Sequence, residues 1–282
     1  MIIFYKHIQI ITIIAFRKFY MGKNYCLNCK TVLSGKYCSN CGQKSDTHRI
    51  SFKHFITHDV LHGTFHIERG MLYTAKQAIV RPGKAALEYI AGKRVVYYNV
   101  FYFILLLIGL NIFLKHYYDG WAVKLYGHET GPTMNKAGEK IDYFLSAYNK
   151  LIIFSFVPLT ALNSYLIFKR RKLNFSEHCM VSGILLLGIL ILFTLRTLLS
   201  YLDFSPFLEP VGEIFYFVIP VFMLAYIIFG YYGAFRNDYT LGGFTLRMFV
   251  FFILFFVAFL LLFMFILLMA TNGEGGEVKY VI

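Results

Sequence analysis

The sequence has few charged residues and few cysteines for its length. Only 15% of the 282 residues are charged, where a soluble globular protein carries roughly 25%. This deficit excludes an ordinary soluble enzyme and a disordered tail protein. Five cysteines in a chain of this size also exclude a secreted disulfide scaffold, which needs a much denser set.

The sequence also lacks the motifs that mark the common enzyme chemistries. It has no Gly-rich phosphate loop, no His-Glu-x-x-His pair and no acidic pair at catalytic spacing. No Ser, His and Asp residues stand in a recognisable triad frame. We therefore assign no catalytic residue and no residue that binds an organic cofactor, and we expect the protein not to be an enzyme.

Apolar residues make up 58% of the chain, and 31 residues are Phe. Five apolar segments are each about as long as a membrane-spanning helix, which needs about 20 residues. They are apolar on all sides, whereas barrel strands alternate between apolar and polar residues. The sequence thus predicts an all-α transmembrane helical bundle of about five spans, formed by Val95–Leu114, Leu151–Phe168, Cys179–Leu195 (continuing past Arg196 to Tyr201), Ile214–Phe235 and Met248–Ala270.

The remaining segments suggest five regions along the chain. They are an apolar extension (1–21), a small zinc ribbon (22–46), an amphipathic basic linker (47–94), the transmembrane bundle (95–270) and a short tail (271–282). The extension has no small-residue cleavage site, so we do not expect a signal peptide. It either lies on the membrane surface as an interfacial helix or precedes a later start at Met21, and the sequence leaves both interpretations open.

Positive charge is concentrated before the first predicted span. Residues 1–95 carry 15 Lys or Arg and four Asp or Glu, which accounts for +11 of the formal net charge of +13. The loops on the same side as this basic region also carry Lys and Arg, including the run Lys169–Lys172. The positive-inside rule therefore predicts a multi-pass protein of the cytoplasmic membrane with a cytoplasmic N-terminus, in contact with anionic lipid headgroups.

Four of the five cysteines form two Cys-x-x-Cys pairs, which predict a metal site. Cys26 and Cys29 form one pair, and Cys38 and Cys41 form the other after a gap of eight residues. Two such pairs can present four thiolates to one ion, and a closed Cys₄ set is typical of structural Zn²⁺. The cytoplasm is reducing, so disulfides are a poor alternative, although an iron centre or empty thiols remain open. Cys179 stands alone and is interpreted as a packing residue.

Four histidines recur every fourth residue in the basic linker. His54, His58, His62 and His66 would lie along one face of a helix, where pairs four residues apart can bind a transition metal. Apolar residues surround them, so the simpler interpretation is an amphipathic helix with imidazoles facing water or headgroups. A second metal site and a pH-sensing face are the two alternatives.

Arg196 is a charge well inside a predicted span, where an ionisable group is costly without a partner. The sequence offers three explanations: an ion pair with Glu213, extension of the side chain toward the headgroups, or contact with a substrate or ion. We take the ion pair, which would fasten the third span to the fourth, as the leading hypothesis.

A string of motifs resembles a known family. The string comprises Cys26-x-x-Cys29, Gly35–Lys44 with Cys38-x-x-Cys41, Arg81-Pro82-Gly83, and Glu88-Tyr89-Ile90-x-Gly92-Lys93-Arg94. It resembles an uncharacterised bacterial membrane family, common in Bacteroidetes, that joins a short zinc ribbon to several transmembrane helices. The resemblance covers residues 22–115 and implies placement in a bacterial inner membrane. It implies no catalytic residue, because the family is a domain of unknown function.

These observations favour a non-enzymatic membrane scaffold whose zinc ribbon docks a cytoplasmic protein partner or orders the membrane surface. A small-molecule or ion transporter with Arg196 lining its path is one alternative. A membrane-embedded metalloenzyme that uses the histidine face is another. We do not expect nucleic acid as a partner, and the sequence leaves the oligomeric state open.

Overall fold

In the computed structural model, the described residues are 25–47, 50, 70–126, 133–134, 136–205, 207–271 and 280–281. The apolar extension and the four histidines of the linker lie outside them. The described helices are α1 (Gly70–Val80), α2 (Pro82–Ile90), α3 (Val100–Tyr126), α4 (Lys136–Ile167), α5 (Phe175–Leu199), α6 (Glu209–Phe235) and α7 (Leu241–Thr271). Short 3₁₀ turns follow α4, α5 and α6 at Lys169–Arg171, Ser200–Phe204 and Arg236–Asp238.

The chain enters the bundle through two short helices separated by one residue. Arg81 interrupts them with a non-helical backbone, and Pro82 takes the first turn of α2, where its missing N–H costs nothing. The helix ends at Ile90 with Ala91 as its C-cap, and Gly92 follows with φ +102°, a left-handed conformation that suits glycine. Helix, break and helix thus follow the Arg81-Pro82-Gly83 signal in the sequence.

Helix α5 forms the centre of the bundle, and its neighbours contact it through small and polar residues. Asn111 of α3 donates a hydrogen bond to Thr194, with 2.8 Å between Nδ2 and Oγ1. Ser164 of α4 hydrogen-bonds to Nδ1 of His178 at 2.8 Å, and both side chains are buried. These contacts hold α3 and α4 against the same helix.

Four helices are long and apolar enough to cross a membrane: Val100–Leu125, Phe175–Phe204, Pro210–Asp238 and Leu241–Ile266. The predicted segment Leu151–Phe168 lies on α4, whose apolar part is the shorter Ile152–Ile167, with Pro158 inside the helix. The polar residues of α4 before Ile152 give it a shorter apolar part than its length suggests. Within the described residues, the fold is a bundle of helices preceded by a small cysteine ribbon.

The described strands are two residues long and lie at the end of the bundle away from the cysteines. β1 (Thr133–Met134) pairs antiparallel with β2 (Tyr280–Val281), with Thr133 opposite Val281. This pairing joins the segment before α4 to the segment after α7. It contributes little to the core, which is helical.

The basic loops between the helices meet at the end of the bundle that carries the cysteines. Arg171 pairs with Asp238 at 3.0 Å, so the loop after α4 contacts the loop after α6. Arg170 also lies over the ring of Tyr239, 5.0 Å from its centroid. At the same end, the Asn174 amide donates to the backbone carbonyl of Ile50, a residue that is 1% exposed. We call this the ribbon end and the opposite one the far end.

Candidate metal centre

The two Cys-x-x-Cys pairs form two loops with the same backbone pattern. In the first, the amide of Cys26 donates to the Thr31 carbonyl at 2.8 Å, and the amide of Lys30 donates to the Cys26 carbonyl at 2.9 Å. In the second, Cys38 donates to Gln43 at 2.8 Å and Gly42 donates to Cys38 at 2.9 Å. Each loop therefore turns its chain back tightly enough to aim two sulfurs at one point.

The residue after each pair takes the left-handed conformation that closes the loop. Gly42 has φ +73°, as the position of a glycine after the second pair suggests. Lys30 occupies the equivalent position in the first loop with φ +64°, which is uncommon for a residue with a Cβ. A glycine at this position signals a positive φ in the sequence, whereas nothing in the side chain of lysine does.

The four predicted cysteines lie together, with all of their sulfurs within 4.8 Å of one another. The Sγ atoms of Cys26 and Cys41 are 3.5 Å apart, as are those of Cys29 and Cys38. A tetrahedral ion bound at about 2.3 Å from each sulfur would have sulfur–sulfur edges of roughly 3.8 Å. All four thiols are free, and the 3.5 Å separations are far longer than the roughly 2 Å bond of a disulfide. The cluster is positioned to hold a metal ion.

The surroundings of the cluster favour the ionised form of one thiol. Hydrogen bonding from the side chain and the backbone of Thr31 lowers the pKa of Cys29 to about 6. Its Sγ lies 3.3 Å from the Thr31 hydroxyl oxygen. Thiolates are the form that binds metal, so this environment suits a ligand. Cys26 and Cys38 are 2% and 3% exposed, which limits access of solvent to the centre.

Gln43 joins the second cysteine loop to the segment that leads into α3. Its side chain is 5% exposed, and Nε2 donates to the carbonyl of Gly92 at 2.8 Å. Its Oε1 accepts from the backbone amides of Arg94 at 3.2 Å and Val95 at 3.4 Å. Because the backbone carbonyl of Gln43 also accepts from Cys38, one residue contacts both the metal loop and the entry to the first membrane-length helix.

Leu27 makes the second contact between the cysteine loops and this entry segment. Its side chain lies against Gly92, so closely that a Cβ at Gly92 would overlap it. Gly92 is therefore constrained twice, by its positive φ and by the leucine beside it. The sequence alone indicates neither this contact nor that of Gln43, because the partners of Gly92 are about 50 to 65 residues away.

A charged cluster stabilises the same segment from the side of α2. Glu88 is 17% exposed and pairs with Arg81 at 3.3 Å and Lys93 at 3.6 Å. It also accepts a hydrogen bond from the Tyr97 hydroxyl at 3.1 Å. One carboxylate thus links the helix break, the basic segment after α2 and the approach to α3.

The other sequence-predicted candidates fall into two groups. His54, His58, His62 and His66 lie outside the described residues. Cys179 is 5% exposed near the start of α5, away from the four clustered cysteines. Within the described part of the chain, the four cysteines are the one group of metal-ligating side chains that come together.

A comparison with known proteins identifies one similarity. Residues 68–110 match the family described as "Protein of unknown function (DUF3667)". The match runs from just before α1 into the first half of α3, so it includes the helix break, Glu88 and Gly92 but not the cysteines. No curated protein and no solved structure matches the chain significantly. The entry segment that contacts the cysteine ribbon is therefore the part of the chain that is similar to a family of unknown function.

Proposed function

We propose that this chain is a non-enzymatic scaffold in the membrane, in which a structural zinc ion folds the cysteine ribbon and the ribbon orders the entry to the first membrane helix. The contact of Gln43 with Gly92, Arg94 and Val95 carries the proposal. A docked ribbon of this kind has a mechanical role at the membrane surface, which needs no catalytic group.

The donor set supports zinc as the ion. Four thiolates at the corners of a tetrahedron suit Zn²⁺, and a set of four protein ligands leaves no open position for a substrate. When bound, the ion would cross-link the two cysteine loops, which have almost no apolar core of their own. The ion would be held by Cys26, Cys29, Cys38 and Cys41. Gln43 would then fix the positions of residues 92–95 through its hydrogen bonds.

The distribution of charge supports a cytoplasmic ribbon. Arg81, Lys93 and Arg94 lie beside the ribbon, and the run Lys169–Lys172 and Arg236 occupy the loops at the same end. Under the positive-inside rule this end faces the cytoplasm, where the basic side chains would meet anionic headgroups. With the resemblance to a bacterial family, this favours the bacterial inner membrane with a cytoplasmic N-terminus.

The ribbon also offers a surface for a cytoplasmic protein partner. Val32 is 46% exposed and Tyr37 is 64% exposed, and they belong to the two backbone bridges that close the cysteine loops. Exposed aromatic and aliphatic side chains on a rigid support are typical of protein contact sites. A comparison of membrane pull-downs from wild type and an inserted Cys26→Ser/Cys29→Ser variant tests this role, and the same partners in both would contradict it.

Metal analysis and hydrogen exchange on the purified full-length protein test the central claim. We expect one zinc per chain in wild type and none in the Cys26→Ser/Cys29→Ser variant. The variant should also lose protection at the amides of Arg94 and Val95. More than one zinc per chain would instead favour the metalloenzyme alternative.

A second pair of variants separates the metal from the contact. Gln43→Ala should keep its zinc yet exchange the Arg94 and Val95 amides about tenfold faster or more, because each loses its acceptor. Lys44→Ala is the matched control, since its side chain is exposed, and it should change neither property. Unchanged exchange in both Gln43→Ala and the cysteine variant would overturn the ordering role.

A further inference from the structure

A cavity of about 910 Å³ lies at the far end of the bundle, between α3, α5 and α6. Its volume is within the range of sites that bind small molecules, about 300–1,000 Å³. Polar side chains line its outer part and apolar ones its inner part. The polar residues include Asn111, Lys115, Tyr118, Arg196, Thr197 and Asp203.

Arg196 is the distinctive residue of this cavity. Its guanidinium carbon lies 4.5 Å from the centroid of Tyr216 and 5.8 Å from that of Phe193, so aromatic rings hold it in place. Its Nε is buried and has no hydrogen-bond partner in the described structure. The side chain of Glu213, the partner predicted from the sequence, lies outside the described residues. The guanidinium is half-buried and its Nε lacks an acceptor, which is costly within a membrane, so an anion at this position would be stabilising.

The neighbouring charges in the cavity are already engaged with other groups. Lys115 pairs with Asp119 at 3.0 Å, one turn along α3. Asp203 accepts a hydrogen bond from the Tyr118 hydroxyl at 3.1 Å. The side chain of Lys115 is also 74% exposed, so it lies at the outer edge of the cavity. Among the described lining residues, Arg196 is therefore the cation best placed to meet a ligand.

A smaller apolar cavity adjoins the first one toward the middle of the bundle. A second cavity of about 280 Å³ lies between α4, α5 and α7 and shares Ile153, Leu190 and Phe193 with the first. Its lining is apolar apart from Ser155. From Ser200 to Leu186, the two cavities follow α5 over roughly 21 Å at 1.5 Å per residue. This exceeds the roughly 15 Å that one leaflet contributes to a hydrocarbon core of about 30 Å.

We propose that these two cavities together form a binding site for an anionic lipid. The phosphate of the headgroup would accept hydrogen bonds from Arg196, with the hydroxyls of Thr197 and Ser200 nearby. One acyl chain would pass Phe193 and Leu190 into the apolar cavity. The site lies at the opposite end from the cysteines, so it is independent of the metal centre and of the role proposed for the ribbon.

The graded lining favours a lipid over a soluble anion. A soluble phosphate ester would use the polar cavity alone and would leave the apolar one without an occupant. A zwitterionic lipid would fill both spaces, but its ammonium group would offset the attraction of its phosphate for Arg196. An anionic lipid would both pair with the guanidinium of Arg196 and fill the apolar cavity.

Native mass spectrometry of the full-length protein in detergent tests the site. The protein is mixed with equal amounts of phosphatidylglycerol and phosphatidylcholine of the same chain length, and the bound lipids are counted. We expect wild type to retain one phosphatidylglycerol in preference to phosphatidylcholine. Arg196→Gln should bind phosphatidylglycerol at least roughly tenfold more weakly. Lys115→Gln removes a cation from the same cavity and should bind as wild type does.

Two further measurements distinguish a lipid from a soluble phosphate ester as the ligand. Ile153→Trp places bulk where the two cavities meet and should weaken binding of the long-chain lipid. Glycerol phosphate, which has the headgroup without the chains, should not displace the lipid. Displacement by glycerol phosphate, equal retention of both lipids, or unchanged binding in Arg196→Gln would each overturn the proposal. If Arg196→Gln fails to fold, the wild-type competition between the two lipids and glycerol phosphate still decides it.

Discussion

Helices α5 and α7 are both long and apolar, but they occupy opposite environments. In the 18-residue stretch that marks each as membrane-length, 72% of α5 is buried in the protein, against 11% of α7. Every residue of α5 from Ser176 to Gly188 is buried, whereas large apolar side chains such as Phe249, Phe256 and Leu261 of α7 are more than 60% exposed. Apolar character therefore indicates that a helix suits lipid, but not how much of it faces lipid.

The difference between the two helices lies in their small and polar residues. Helix α5 contains Ser182, Gly183, Gly188 and Thr194, all of which lie against neighbouring helices or within the buried core. Helix α7 beyond its first turn has almost none. Lipid chains solvate leucine and phenylalanine as well as a protein interior does, so helix contacts in membranes depend on close approach and on interhelical hydrogen bonds. The following substitutions test this interpretation, in order of decreasing expected effect.

The largest effect is expected at the place where α7 itself is buried. Phe251 is 1% exposed, and its ring centroid lies 4.7 Å from that of the fully buried Tyr231. Phe251→Ala would leave a cavity at this contact and should cost about 3–5 kcal/mol. A fall in the apparent melting temperature of the detergent-solubilised protein measures it. Phe251→Leu, which keeps most of the volume, should lose much less, and equal losses would point to a disturbance of the whole helix.

The second effect is overpacking on α5. At Gly188, an added Cβ would collide with the ring and hydroxyl of Tyr226, which is 8% exposed and donates to the Ala78 carbonyl at 2.6 Å. Gly188→Ala should therefore destabilise by about 1–3 kcal/mol in the same thermal assay. Gly109 of α3 is the matched control, because nothing lies within 4 Å of its Cβ position. Gly109→Ala should be neutral or slightly stabilising, since alanine favours a helix more than glycine does. A cost in both variants would attribute the effect to the helix backbone and not to Tyr226.

The sequence predicted the helices well and their contacts poorly. Hydropathy identified the four membrane-length segments, because hydropathy is a local feature. The spacing of the cysteines identified the cluster for the same reason. In contrast, two of the contacts join residues about 40 to 50 positions apart, namely Gln43 with Gly92 and Gly188 with Tyr226. No local sequence pattern identifies the partner in such a contact. Arg196 was recognised as unusual, but its rings, Tyr216 and Phe193, were not.

A smaller effect is expected from the hydrogen bond between α3 and α5. Thr194→Val keeps the shape of the side chain and removes the hydroxyl that accepts from Asn111. Hydrogen bonds between membrane helices contribute about 0.6 kcal/mol on average, so we expect a loss of that order. A double-mutant cycle with Asn111→Ala measures the coupling directly. A coupling near zero would show that close packing, and not this hydrogen bond, holds α3 on α5.

The smallest effect is expected on the exposed face of α7. Phe256 is 66% exposed, so its side chain makes few contacts with the rest of the protein and Phe256→Ala removes little packing. The apparent stability should change by no more than about 0.5 kcal/mol, in contrast to Phe251→Ala on the same helix. Because both variants remove the same atoms from one helix, the difference between them measures burial alone. A loss at Phe256 as large as at Phe251 would mean that another surface covers this face, and the distinction between a buried α5 and a lipid-facing α7 would then fail.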